Sequence, residues 1–165
     1  MNIKLIFLPL ALLLLVVMAL FGLARLSQNR ANAGLIDGKL RGCPQSPNCY
    51  STEAHPETAI RFAPEDREKA WLGLQQIITE QGGIISSVND DYLWATFRSR
   101  LFGFVDDLEA HVDEENHRIH LRSASRIGYS DFAANRRRVQ RIQQRLAIHL
   151  NQALLRNRSD APPAR

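Results

Sequence analysis

Apolar residues crowd the start of the chain and then return in spaced patterns. From Leu5 to Ala24 it reads LIFLPLALLLLVVMALFGLA, uncharged, with Pro9 and Gly22 as the weak helix formers. At 1.5 Å per residue, about 20 apolar residues cover the ~30 Å hydrocarbon core of a bilayer. Further on, Trp71, Leu74, Ile77 and Ile78 fall on one face of a helix expected from Pro64 to about Gln81. Pro64 suits a first helical position, Glu65, Asp66 and Glu68 complement the positive helix start, and Gly82-Gly83 stop it. Ile84–Val88 reads as a short strand before a turn at Asn89-Asp90-Asp91.

Three alternating runs follow. With Phe102-Gly103 as the turn, Leu101 faces Phe104, Phe97 faces Leu108, Ala95 faces Ala110 and Leu93 faces Val112. The other surface then pairs Arg98 with Asp107, Thr96 with Glu109 and Trp94 with His111. A second turn at Glu114–His117 sets Val112 against Ile119, Ala110 against Leu121 and Glu109 against Arg122. A one-residue slip would carry every apolar side chain to the wrong face, so the agreement of both hairpins constrains the register. A last helix is expected from Ala134 to Leu155. Val139, Ile142, Leu146, Leu150, Ala153 and Leu154 form its apolar stripe, and Arg138, Arg141 and Arg145 a basic one.

The expected fold class is α+β: an N-terminal transmembrane helix, then a helix, a four-stranded antiparallel meander and a C-terminal helix. Both soluble helices should cover one sheet face. The chain divides into an anchor or signal segment (1–24), a polar linker (25–41), one domain (42–155) and a disordered tail (156–165). Residues 42–63, rich in Pro, Ser and Asn, read as an irregular lead-in to that domain.

Composition sharpens this picture in one respect. Much of the 45% hydrophobic content of the 165 residues lies in the first segment, so the remainder is more polar and basic, consistent with a net charge of +4. The apolar run is longer than a signal-peptide core, and the A-x-A candidate Ala31-Asn32-Ala33 lies well beyond it. An uncleaved signal anchor is therefore favoured over a cleaved signal peptide. A lipoprotein reading fails because Arg41 sits where small residues are needed before Cys43. Lys4 flanks one side of the run and Arg25 and Arg30 the other, so charge does not set the orientation. Cys43 and Cys49 enclose turn residues that would bring them within disulfide range; a disulfide implies an oxidising, extracytoplasmic (periplasmic) compartment, and reduced thiols remain the alternative.

Polar residues gather at one end of the expected sheet. Arg98-Ser99-Arg100, Asp106-Asp107 and Arg122-Ser123 meet there, and Ser99, Asp106 and Ser123 are in phase with the apolar face. Buried polar groups need partners, so a network of Ser99, Asp106, Asp107, Glu109 and Asp131 with arginines is expected. The chain leaves this edge through Ser125, Arg126, Tyr129, Ser130 and Asp131 and enters a helix whose first turn carries Arg136, Arg137 and Arg138. Arginines beside free helix N–H groups would suit a phosphate, sulfate or carboxylate ligand. Arg98, Arg100, Arg122, Ser123, Ser125, Arg126, Tyr129, Ser130 and Arg136 are thus candidate anion-binding residues. The alternative is that Asp131 caps the helix and the arginines point to water.

The runs FRSRLFGFVDDLE and RSASRIGYSDFAANRRR, with the upstream CPQSPNC, resemble the signatures of the family catalogued as domain of unknown function 1499. The resemblance spans about Gly42 to Leu150. It implies a bacterial-type or organellar envelope protein, often with an N-terminal apolar segment, and it implies no reaction.

Motifs for specific chemistry are missing. There is no G-x-S-x-G elbow, P-loop, dinucleotide fingerprint or H-E-x-x-H. Ser123 or Ser125 as a nucleophile has no histidine in its cluster. His111 and His120 should face each other on the outer sheet surface, but no third metal ligand is evident, so neither metal nor cofactor is expected. The Arg138–Arg141–Arg145 stripe could meet anionic lipid headgroups, and a solvated helix face is the alternative. Nucleic acid is not expected as a partner of a tethered domain. Three functions remain: a non-catalytic module binding an anion or lipid headgroup, which is preferred; a structural protein binding an unknown protein partner; and a hydrolase of an envelope substrate.

Overall fold

The computed structural model describes residues 3–29, 31 and 33–159. Arg30 and Asn32 of the linker, and residues 160–165 of the tail, lie outside the described residues, as do the side chains of Lys4, Leu5, Ala153 and Leu154.

The apolar run forms α1 (Ile3–Gln28). Its stretch Leu8–Gln28 is long and apolar enough to cross a membrane. A two-stranded ribbon, β1 (Leu35–Ile36) and β2 (Lys39–Leu40), follows within the segment expected as a linker. β3 (Cys49–Ser51) and β4 (Ile60–Arg61) come from the segment expected to be irregular. After a single helical turn at Pro64–Asp66 comes α2 (Arg67–Glu80), then β5 (Ile84–Val88), β6 (Tyr92–Arg98), β7 (Val105–Asp113), β8 (Arg118–Ser125) and α3 (Ala134–Ser159). β5 to β8 are the expected meander.

The strand count of four is corrected. Among the described residues the main sheet has six strands in the order β3-β8-β7-β6-β5, with β4 also pairing β8. β3 and β4 share the outer edge of β8: Tyr50 lies opposite Ser123, and Ile60 opposite Ile119. Two- and three-residue strands carry no alternation, and the prolines around them obscure what remains.

The first hairpin register is corrected as well. Leu93 faces Ala110, Ala95 faces Leu108, Thr96 faces Asp107 and Phe97 faces Asp106, two residues away from the expected pairing. The turn is longer than Phe102-Gly103 alone. Ser99 N donates to Phe104 O at 2.8 Å, Ser99 Oγ accepts from Phe104 N, and Gly103 takes a φ of +77° that a side chain would resist. The second hairpin has the expected pairs, Val112 with Ile119, Ala110 with Leu121 and Glu109 with Arg122.

One face of the sheet is apolar. Leu93, Phe97, Leu108 and Leu121 share a buried core with Trp71, Leu74, Ile77 and Ile78 of α2 and Val139, Ile142 and Leu146 of α3. The opposite face is polar.

Candidate functional site

Alternation along β7 sends Asp106 to the helix-covered face and Asp107 to the other, so the polar residues form two clusters back to back.

On the helix side, Arg138 is the hub. Its guanidinium donates to Asp106 Oδ2 at 2.7 Å, to Ser123 Oγ at 2.8 Å and to Asn135 Oδ1, and stacks on the Phe97 ring at 4.5 Å. The fully buried Ser123 hydroxyl donates to Asn135 Oδ1 at 2.6 Å. The Asn135 amide donates to Ser125 Oγ and to the Asn48 carbonyl. These bonds clamp the start of α3 to the ends of β3 and β8. Asp131 caps α3, accepting from Ala133 N at 2.9 Å and Asn135 N at 2.7 Å.

The second cluster lies on the polar face. Arg126 grips Asp107 with Nε and Nη2, the latter at 2.7 Å, and Trp94 Nε1 donates to the same carboxylate at 2.8 Å. The other arm of Arg126 reaches the end of α1, where Nη1 donates to Gln28 O at 3.0 Å and Ser27 O at 3.3 Å. Those carbonyls have no partner inside the helix and carry its negative end, which a guanidinium complements. Ser27 Oγ accepts from Val105 N at 3.1 Å, and Ala24 and Ser27 are 1% and 0% exposed. The last turn of α1 is therefore built into the domain.

Further along this face Arg122 pairs with Glu109 at 2.7 Å, both buried. Glu109 Oε1 also accepts from Tyr92 OH at 2.9 Å and Gly34 N at 2.7 Å. Burial, together with the Glu109 charge, holds the Tyr92 phenol far above its ordinary range. Next in line, His111 and His120 lie opposite each other and flank Glu53 at 4.0 and 3.8 Å. Burial pushes the neighbouring Asp113 carboxyl up, but hydrogen bonds from Asn116 and the charges of His120 and His111 outweigh it and hold it low. Among the described residues no group of three or more His, Cys, Asp or Glu is placed to hold a metal ion.

The expected site residues thus separate. Arg122, Ser123, Ser125, Arg126, Asp106, Asp107, Glu109 and Asp131 are engaged within the protein. The expected Arg98–Asp107 pair is corrected: Arg98 ends β6 opposite Val105, exposed, because the turn is two residues off the expected one. Ser99 is exposed in that turn rather than inward-facing. Arg100 and Ser130 are exposed, as is Tyr129 at 76%, and exposed Arg136 stacks over Tyr50 at 5.7 Å. Sequence reasoning missed Arg138, Asn135 and Asn48, having assigned Arg138 to a solvent- or lipid-facing stripe. Spacing held the signal, since Asn135 and Arg138 continue the Val139–Ile142–Leu146 stripe by one turn.

The expected cysteine pair is bonded: Cys43 and Cys49 form a disulfide with Cα atoms 5.6 Å apart. No curated protein matches the chain significantly. A family model does match, over residues 39–146, which contain all the strands of the six-stranded sheet and both polar clusters apart from the α1 end that Arg126 holds; the chain belongs to the family described as "Protein of unknown function (DUF1499)".

Proposed function

We propose that this protein is a non-catalytic, membrane-tethered domain on the extracytoplasmic side that binds anionic lipid headgroups at the end of its sheet nearest the anchor. One observation carries the reading: the last turn of α1, through its buried Ala24 and Ser27, meets the sheet at the end where Arg98 and Arg100 stand exposed. A helix integrated in this way suits a retained anchor, because cleaving it away would uncover Val105 N and strip Arg126 of two acceptors. The disulfide supports an oxidising compartment. Basic residues close to an anionic surface contribute about 1 kcal/mol each.

A hydrolase reading has less support. The Ser123 hydroxyl is buried and committed to Asn135, and among the described residues its partners are Asn135, the Asp107 carbonyl and Arg138. An assembly role draws some support from the Arg138 and Arg126 clusters, which lock segments together.

Thermal unfolding of the full chain in nanodiscs tests the proposal. Anionic lipid should raise the midpoint more than zwitterionic lipid. The Arg98→Ala/Arg100→Ala double variant should lose that difference while keeping its midpoint in zwitterionic lipid. Equal midpoints for the wild type in both lipids would sink the proposal.

A further inference from the structure

Phe21 of α1 meets Phe102, at the tip of the β6–β7 hairpin, edge to face with ring centroids 5.4 Å apart. Phe102 in turn packs on Phe104 at 6.3 Å. Six residues after Phe21, Ser27 holds Val105 N. The hairpin end therefore runs beside α1 for about 9 Å, heading back toward the middle of the apolar run. Phe21 lies three residues inside the end of that run at Ala24. At 1.5 Å per residue this is about 4.5 Å past the boundary of the apolar segment. A bilayer spanned by α1 thus reaches the tip of the hairpin. At that tip Leu101 is 74% exposed, with Arg98 and Arg100 exposed beside it on the way back to the sheet.

We infer that the turn Arg100–Phe104 is a wedge that enters the membrane interface, with Leu101 and Phe102 among the outer acyl chains and Arg98 and Arg100 at the headgroups. The inference rests on the reading of α1 as a retained anchor and deepens it by naming the element that touches lipid. Its occupant is a bilayer rather than a soluble partner, because the packing of Phe102 on Phe21 fixes the depth of the tip. The chemistry also fits. Phe and Leu side chains bury at the boundary between headgroups and acyl chains, and arginines reach outward from it while their stems stay in apolar surroundings.

A tryptophan reporter tests this directly. Leu101→Trp is made in the full chain, reconstituted in bilayers containing lipids brominated either near the headgroup or deep in the chains, with and without anionic lipid. Fluorescence of the wild type, from Trp71 and Trp94, sets the background. Leu72→Trp, at an exposed position on α2, is the control. The added tryptophan should be quenched about two-fold more by shallow than by deep bromines, in neutral and anionic bilayers alike, and the control not at all. No quenching above background would overturn the inference. A concentration-dependent blue shift without quenching would also overturn it, assigning the tip to a second copy of the chain. Quenching in both bilayers without a stabilising preference for anionic lipid would remove the headgroup proposal and leave the wedge. The opposite result would remove the wedge and leave the headgroup proposal.

Discussion

Asp106 and Asp107 are neighbours that work on opposite sides of a sheet, and most of the site follows from that. Asp106 joins Arg138 to close the helix layer, whereas Asp107 joins Arg126 to hold the end of α1. Further along β7, Glu109 and Arg122 form a pair 0% and 1% exposed. Removing one partner from such a pair costs about 3–5 kcal/mol, because the other charge stays buried. Urea unfolding of Arg122→Met should register a loss of that size. The double variant Glu109→Leu/Arg122→Met should recover only part of it, because Tyr92 OH and Gly34 N then lose their acceptor. Tyr92 supplies a pH test. Its phenol is raised in the folded state, so as pH climbs past about 10 the unfolded chain releases this proton and the folded chain does not. Stability should then fall with rising pH, and Tyr92→Phe should flatten the slope. Charge pairing was legible in part. Glu109 opposite Arg122 followed from the second hairpin, but Arg138 was read from its charge as facing outward, although its position on the helix pointed inward.

At the scale of elements, the alternating pattern identified β5 to β8 and which residues face the helices, yet it placed the first hairpin two residues out. A slip of two preserves the face of every side chain, so alternation cannot detect it; only the turn decides. Ser99 closes a four-residue turn by accepting from Phe104 N, and no hydrophobic signal marks this. The short β3 and β4 escaped for a related reason, because their place is set by the free edge of β8 rather than by their own sequence. Gly83, expected only to end a helix, has a second role. A Cβ there would lie 2.7 Å from Ile78 Cγ2 and 2.8 Å from Phe97 Cζ. Gly83→Ala should therefore destabilise the domain by about 1–3 kcal/mol, measured by thermal or urea unfolding.

For the whole molecule, the sheet separates two interiors. One is the apolar layer between strands and helices that the sequence pattern announces. The other is a polar layer in which the lead-in chain and the end of α1 lie across buried acids and arginines. Residues 25–41 looked like a linker because their few apolar side chains show no period. Within this segment and just before it, Gly34, Leu40 and the end of α1 are tied to the domain by hydrogen bonds instead: Gly34 N to Glu109, Leu40 N to Glu53, and Gln28 O from Arg126. Such long-range polar contacts leave no periodic trace in a sequence. They make the last turn of α1 part of the domain, and the lipid-facing proposals both depend on it. The mass of the mature protein extracted from its own membrane decides the matter. A mass that includes α1 is the expected result. A chain that starts after Gln28 would mean that Arg126 and Val105 hold no anchor in the working protein.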